Sequence, residues 1–308
     1  MKIYQCLDDY EFQENAVVTV GTFDGVHMGH QMIFHRMKEI AEAVSGPTVV
    51  VTFHPHPRLV VHSDNRNLKF INTREKKYDR IAAAGIDSLI IINFTPEFSR
   101  LSSEEFVKQV LVDKIGLRHL VVGYDHHFGK NREGGYKSLK TLAGKYNFSI
   151  QEVPAKYIHN IAVSSTQIRN ALRLGEVALA NELLGYEYSI TGKVMRGKRI
   201  GHEIGFPTAN IEMEDEYKLI TAVGVYACRI NYKGDMYNGM GNIGYRPTVD
   251  DGNFTIEVNI FNFDREIYGE YLTIYFLERI RDEIKFRDLK TLRKQLVRDR
   301  KKVVRLLG

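Results

Sequence analysis

Between residues 16 and 153 the chain switches repeatedly between two periods. Residues 16–20 form a short β-branched run, 30–44 have helical spacing, and 48–53 are strand-like again. Residues 73–84 predict a helix stopped by Gly85, and 88–94 a third strand. Ser102-Ser103-Glu104-Glu105 is a capping box opening a helix that Gly116 ends. Residues 119–122 and 149–153 supply two more strands, with a helix over 137–146 between them. Strands alternating with helices predict an α/β domain, a doubly wound parallel sheet covered on both faces. Such sheets bind ligands outside the carboxyl ends of their strands, at the switch point.

The rhythm changes after Gly185-Tyr186. Short β-rich stretches follow at 188–194, 225–232, 254–263 and 271–277, separated by turn residues, which is a barrel or sandwich pattern. A final helix over 288–307 has Leu289, Leu292, Leu296, Val303 and Leu307 on its apolar side. Two domains are therefore expected, 1–185 and 186–308, each long enough to bury its own core.

Composition narrows the class of protein. Between Phe286 and Gly308 there are nine Lys/Arg and two Asp/Glu, more than the whole formal charge of +5. Basicity thus belongs to the last helix and does not make the chain a nucleic-acid binder; that helix also lacks interleaved aromatics for stacking on bases. Cys6 and Cys228 lie far apart without C-x-x-C spacing, which argues against a disulfide framework and points to a cytoplasmic location. The first residues lack the apolar core of a signal peptide, and the longest aliphatic runs are strand-sized, so no membrane association is expected.

The first candidate site is Gly21-Thr22-Phe23-Asp24-Gly25-Val26-His27-Met28-Gly29-His30, leaving a strand and entering a helix. Glycines at 21, 25 and 29 allow tight turns and close backbone approach. The helix start offers free amides and a positive dipole end, which suits phosphate. His27 and His30, three apart, can reach one anion. Ordinary turn glycines with two surface histidines would read the same way. A zinc reading also competes, with a further ligand from His54, His56, His126 or His127. Ser164-Ser165-Thr166-Gln167 is a second capping box, and Arg169 lies one turn in, able to fork onto phosphate oxygens.

These residues resemble the HxGH loop of the nucleotidylyltransferase superfamily. In particular they resemble the amino-terminal domain of the bacterial bifunctional riboflavin kinase/FMN adenylyltransferases. Thr52-Phe53-His54-Pro55-His56-Pro57-Arg58, Val122-Gly123-Tyr124-Asp125 through Phe128-Gly129, and Ser164-Ser165-Thr166-Gln167-Ile168-Arg169 match that family in order. The resemblance implies that FMN phosphate attacks the α-phosphorus of ATP and that His27 and His30 donate to the triphosphate. It places Gly21, Asp24, Gly25, Gly29, Ser164, Ser165, Thr166 and Arg169 around the ATP phosphates, and Asp125 and Phe128 beside the flavin. The chain departs from the family pattern at Thr22 and at His126-His127.

A second constellation lies in the other domain. Gly192-Lys193-Val194-Met195-Arg196-Gly197-Lys198 satisfies G-x-x-x-x-G-K, but Arg199 follows where a P-loop needs Ser or Thr, and no helix is expected next. Gly197-Lys198-Arg199-Ile200-Gly201 through Gly205-Phe206-Pro207-Thr208-Ala209-Asn210 is instead similar to the phosphate loop and Pro-Thr-Ala-Asn motif of the flavokinase barrel. Gly224-Val225-Tyr226, Asn242-Ile243-Gly244-Tyr245-Arg246-Pro247-Thr248, Glu257 and Tyr268-Gly269 follow in the family's order. The resemblance implies a small antiparallel β-barrel with a C-terminal helix, ATP phosphates at Gly197, Lys198 and Gly201, and Mg2+ at Thr208 and Asn210. Glu257 would be the general base on riboflavin. Asn259 and Asn262 stand where the family usually has His and Asp, which motivates an alternative: an FMN adenylyltransferase with a flavin-binding but inactive barrel. The expected ligands are riboflavin, FMN, FAD and ATP.

Overall fold

The computed structural model describes residues 1–61, 68–124, 135–197, 200–245 and 254–308. Packing divides the chain into two compact units, Met1–Ser165 and Thr166–Gly308.

The first unit is built on a six-stranded sheet, every neighbouring pair of which runs parallel. Its elements are β1 (Lys2–Tyr4), β2 (Ala16–Val20), α1 (Met28–Val44), β3 (Thr48–His54), α2 (Pro57–Val61), α3 (Arg74–Ala83), β4 (Ser88–Asn93), α4 (Ser103–Glu105), β5 (Leu117–Gly123), α5 (Tyr136–Tyr146) and β6 (Ser149–Val153). Two-residue strands β7 (Tyr157–Ile158) and β8 (Ile161–Ala162) follow. The expected capping box is formed: Ser102 Oγ accepts from Glu105 N while the Glu105 carboxylate accepts from Ser102 N. The helix runs on from α4 as a wider, π-wound segment, Phe106–Ile115, and ends at Gly116 with φ 87°.

Strand order is β1-β4-β3-β2-β5-β6. The chain therefore moves outward from β2 in one direction and from β5 in the other, and the switch point lies between the carboxyl ends of β2 and β5. Alternation along the strands explains why both faces are covered. Val17, Val50, Leu89, Ile91 and Val121 pack with α1 and α3 residues such as Phe34, Met37 and Ile81. Val18, Val20, Ile90 and Ile92 pack on the opposite face with Phe106, Leu111 and Leu139.

Helix α6 (Ser165–Leu174) starts at the last residue of the first unit; the second unit begins with the rest of it and with α7 (Val177–Leu184). It continues through β9 (Tyr188–Met195), α8 (Ile200–Glu203), β10 (Ala209–Glu212), β11 (Gly224–Tyr232), β12 (Asp235–Tyr245), β13 (Phe254–Ile260), β14 (Tyr271–Arg281) and α9 (Leu289–Leu307). The strands close a barrel in the order β10-β13-β12-β11-β14-β9, sealed by antiparallel pairing of β9 with β10. Val303 of α9 is buried against Phe206, Val225, Ala227, Met240 and Ile280, while Leu289 is exposed, so only part of the expected apolar stripe is covered. Asp288 caps α9 by accepting from Thr291 N at 2.7 Å. Asp299 on its buried side accepts from Arg281 Nε and Nη2 at 2.9 and 2.8 Å and from Gln295 at 2.8 Å.

Packing divides the chain about twenty residues before the change of sequence rhythm. The reason is local: Leu172 O accepts from Thr221 Oγ1 and Ala222 N, while Asn181 donates to Phe276 O and accepts from Tyr188 N. These bonds tie α6 and α7 to the barrel.

Candidate active sites

The loop of residues 21–30 leaves the carboxyl end of β2, beside the switch point. Its first amide still pairs with β3, Gly21 N donating to Val51 O at 3.0 Å. The chain then reverses through three left-handed residues, Phe23 (φ 49°), Gly25 (φ 87°) and Val26 (φ 40°). Glycine accepts that conformation freely; Phe and especially β-branched Val do not, at about 1–3 kcal/mol each. Burial holds them there, for Phe23 and Val26 are 3% and 1% exposed. Gln31 Nε2 donates to Val26 O at 3.0 Å, and Asp24 Oδ1 accepts from Ile71 N at 2.9 Å and Asn72 N at 3.4 Å. Asp24 thus fastens the loop to the segment leading into α3. The Ser165 hydroxyl donates to Asp24 O at 2.8 Å, which brings the start of α6 onto the same turn.

His27 occupies the N-cap of α1, its carbonyl accepting from Gln31 N. The His27 and His30 rings stack with centroids 3.6 Å apart and planes 18° apart. A Cβ on Gly29 would press against the His27 ring at 3.2 Å, so glycine there leaves the stacked ring room. Phe23 meets His30 edge-on at 5.1 Å. His30 Nδ1 is shut off from solvent and has no hydrogen-bond partner among the described residues. Burial, then the neighbouring His27, then Lys77 hold the His30 imidazole well below the usual histidine range, so it is neutral at pH 7.

Lys77 was not singled out by the sequence. Its Nζ reaches from α3 to donate to Thr22 O at 3.2 Å and Thr52 Oγ1 at 3.1 Å. In Arg74-Glu75-Lys76-Lys77 it reads as one more surface charge. The available signal was its spacing, four residues before the fully buried Ile81 and so on the same helix face.

The structure gathers Gly21, Asp24, Gly25, His27, Gly29, His30 and Ser165 around one turn. Ser164 immediately precedes α6; Thr166 and Arg169 lie in α6 and pack with the second unit. Asp125 and Phe128, with His126 and His127, lie outside the described residues, as do Lys198 and Arg246-Pro247-Thr248.

The barrel site centres on β13. Glu257 lies between Asn210 of β10 and Asn242 of β12 in register. Thr208 Oγ1 donates to Glu257 Oε2 at 3.3 Å. Two residues along, buried Asn259 donates through Nδ2 to Pro207 O at 2.7 Å. Glu257 and Asn259 thereby hold consecutive residues of the Pro207-Thr208 turn. A Cβ on Gly197 would overlap the Asn210 amide, and one on Gly201 would overlap Phe206 O, so both glycines bring bare backbone against this turn. Asn262 adopts φ 55° and its Oδ1 accepts from Arg300 Nη2 at 3.4 Å. Among the described residues no group of three or more His, Cys, Asp or Glu is placed to hold a metal, and no helix is long and apolar enough to cross a membrane.

The parallel α/β sheet and the closed barrel find counterparts in known proteins. The family model for FAD synthetase matches residues 9–167, and that for riboflavin kinase matches 184–307. The bifunctional riboflavin kinase/FMN adenylyltransferase of Listeria monocytogenes is 40% identical, over 92% of this chain and 90% of its own. The chain belongs to that family. The family's Bacillus subtilis member is 38% identical over 96% of this chain and 93% of its own, and the Escherichia coli K12 member 33% identical over 93% and 91%. The solved structure of a protein from Streptococcus pneumoniae, described as a macrolide-efflux protein, has TM-score 0.90 and 30% identity over 97% of both chains. Family membership accounts for both domains, so the alternative with an inactive barrel is not favoured.

Proposed function

We propose that the 21–30 loop carries FMN adenylylation and the Thr208–Glu257 cluster riboflavin phosphorylation, so that this chain makes FAD from riboflavin in two ATP-dependent steps. The observation that carries the reading is the stacked His27–His30 pair on a strained, backbone-rich turn at the switch point of a parallel sheet. By function the chain divides at 185/186, adenylylation before and phosphorylation after.

In adenylylation an FMN phosphate oxygen bonds to the α-phosphorus of ATP as the bond to pyrophosphate breaks. No covalent enzyme intermediate is needed, so the protein's work is to position the phosphates and stabilise their charge. His27 and His30 donate to the triphosphate, with Gly21, Gly25, Gly29, Ser164, Ser165, Thr166 and Arg169 around it. Asp24 acts through the turn it fastens, and Asp125 and Phe128 lie beside the flavin.

In the barrel, Glu257 accepts the proton of the ribityl hydroxyl as that oxygen bonds to the γ-phosphorus of a second ATP and the bond from that phosphorus to ADP breaks, giving FMN and ADP. Gly197, Lys198 and Gly201 receive its phosphates. Thr208 and Asn210 bring neutral oxygens beside the Glu257 carboxylate, a donor set that fits Mg2+. Mg2+ supplies charge neutralisation to the phosphates when bound. The setting is cytoplasmic, with no nucleic-acid or membrane partner.

His30→Ala tests the reading. FAD formation from FMN should fall on the order of 100-fold or more, the usual cost of one preorganised donor, while riboflavin phosphorylation continues. A variant making FAD at the wild-type rate would overturn it.

A further inference from the structure

We propose that Lys77 is a positioning residue of the adenylylation site, fastening the first turn of its phosphate loop and furnishing a fixed positive charge beside His30. The proposal rests on the site assignment above. Two of the ammonium's three donors are used, on Thr22 O at the start of the loop and on Thr52 Oγ1 at the carboxyl end of β3. Thr52 is fully buried and lies 3.5 Å from the same Thr22 carbonyl, so Lys77 closes a three-way contact between loop, strand and helix.

Among the described residues, the charged and titratable groups facing it are Asp24 on the loop, His30 on α1, His54 on β3 and Arg74 on its own helix. Only one of these is an anion, and Asp24 directs Oδ1 to the amides of Ile71 and Asn72. A buried cation held by neutral oxygens is costly. Burial pushes the Lys77 ammonium down to about 8, with Asp24 opposing and Arg74 adding to the shift. A methionine would fill the same stem against α3 without that cost. What the charge supplies is attraction for a polyanion, together with a field that adds to burial and His27 in holding His30 neutral.

Lys77→Met should lower kcat/KM for ATP in FAD formation by about 10- to 100-fold, the range for losing a charge-assisted contact. Riboflavin phosphorylation, carried by the other unit, should keep its wild-type rate, and a wild-type circular dichroism spectrum reports that the α/β unit is folded. Lys77→Arg should restore most of the loss. In the wild type kcat/KM for ATP should decline above about pH 8 as the ammonium deprotonates. Lys77→Arg, whose guanidinium stays charged, should lose that alkaline limb.

Stability separates this role from a merely structural clamp. The folded value lies below the ordinary 10.5, so the charged lysine costs stability at neutral pH and the cost is relieved as pH rises from about 8 toward 10.5. The wild type should therefore gain stability relative to Lys77→Met as pH rises from about 8 toward 10.5. The proposal fails if Lys77→Met keeps wild-type kcat/KM for ATP, or if Lys77→Arg keeps the alkaline limb; the second result decides even if the methionine variant does not fold. If His30→Ala also leaves FAD formation intact, the site assignment itself has failed. If His30→Ala is defective and Lys77→Met is not, the role of Lys77 alone is refuted.

Discussion

Glu257 and Asn259 stand two apart on β13 and grip consecutive residues, Thr208 through its hydroxyl and Pro207 through its carbonyl. Asn259 stands where the family usually has His, and what it supplies is a short neutral hydrogen bond that sets the turn. Glu257 is left as the carboxylate beside the Thr208 hydroxyl. Glu257→Gln keeps the shape and removes the base, so riboflavin phosphorylation should fall by roughly 100- to 10,000-fold, with FMN adenylylation unchanged. Chromatography of products from riboflavin and from FMN, each with ATP, checks both halves. A native enzyme that makes FAD from FMN but no FMN from riboflavin would defeat the two-step reading. At this scale the sequence was readable where residue type and spacing coincide, as in His27 and His30. It was opaque for Lys77, whose identity suggests a solvated surface and whose contacts come from loop, strand and helix brought together only by folding.

Most elements of the α/β unit were legible because punctuation and period agree. Thr73 caps α3, Ser102 opens α4 through a formed capping box, and Gly116 ends the following segment in a left-handed conformation. β12 was missed because Gly239, Gly241 and Gly244 read as turn residues. The fold requires Gly239 for another reason. A Cβ on Gly239 would lie 2.5 Å from Asn259 O, and one on Gly241 would press on Cys228 Sγ at 3.1 Å. The strand packs bare backbone against its neighbours, a tertiary demand that periodicity does not register. Gly239→Ala must displace the β13 backbone that carries Asn259 and Glu257. It should destabilise the barrel by about 1–3 kcal/mol, the usual cost of overpacking. Urea unfolding monitors the loss, and riboflavin phosphorylation should decline with it. β1 escaped notice because three residues are too few to show a period.

For the whole molecule, composition places a boundary near 185 whereas packing places it after Ser165. The strand pattern changes only at β9, but α6 and α7 are tied to the barrel by Leu172 and Asn181. A fragment of residues 166–308 should unfold cooperatively. A fragment of 186–308 strands the Thr221 hydroxyl, the Ala222 amide and the Tyr188 amide without their acceptors. Four hydrogen bonds are lost with the helices, at about 0.5–1.5 kcal/mol each, so the shorter fragment should be the less stable by several kcal/mol in urea titration; equal midpoints would show that the helices belong elsewhere. The two units also differ in how they meet their surroundings. A closed ring of strands presents no unpaired peptide groups along its flanks. The parallel sheet ends on β1 and β6, two open rims. Three residues bearing Lys2 guard one rim; five residues, only Val153 of them buried, form the other. When concentrated or warmed preparations clump through strand addition, the seed should therefore be the β6 rim of the nucleotide-loop unit, while the ring stays inert.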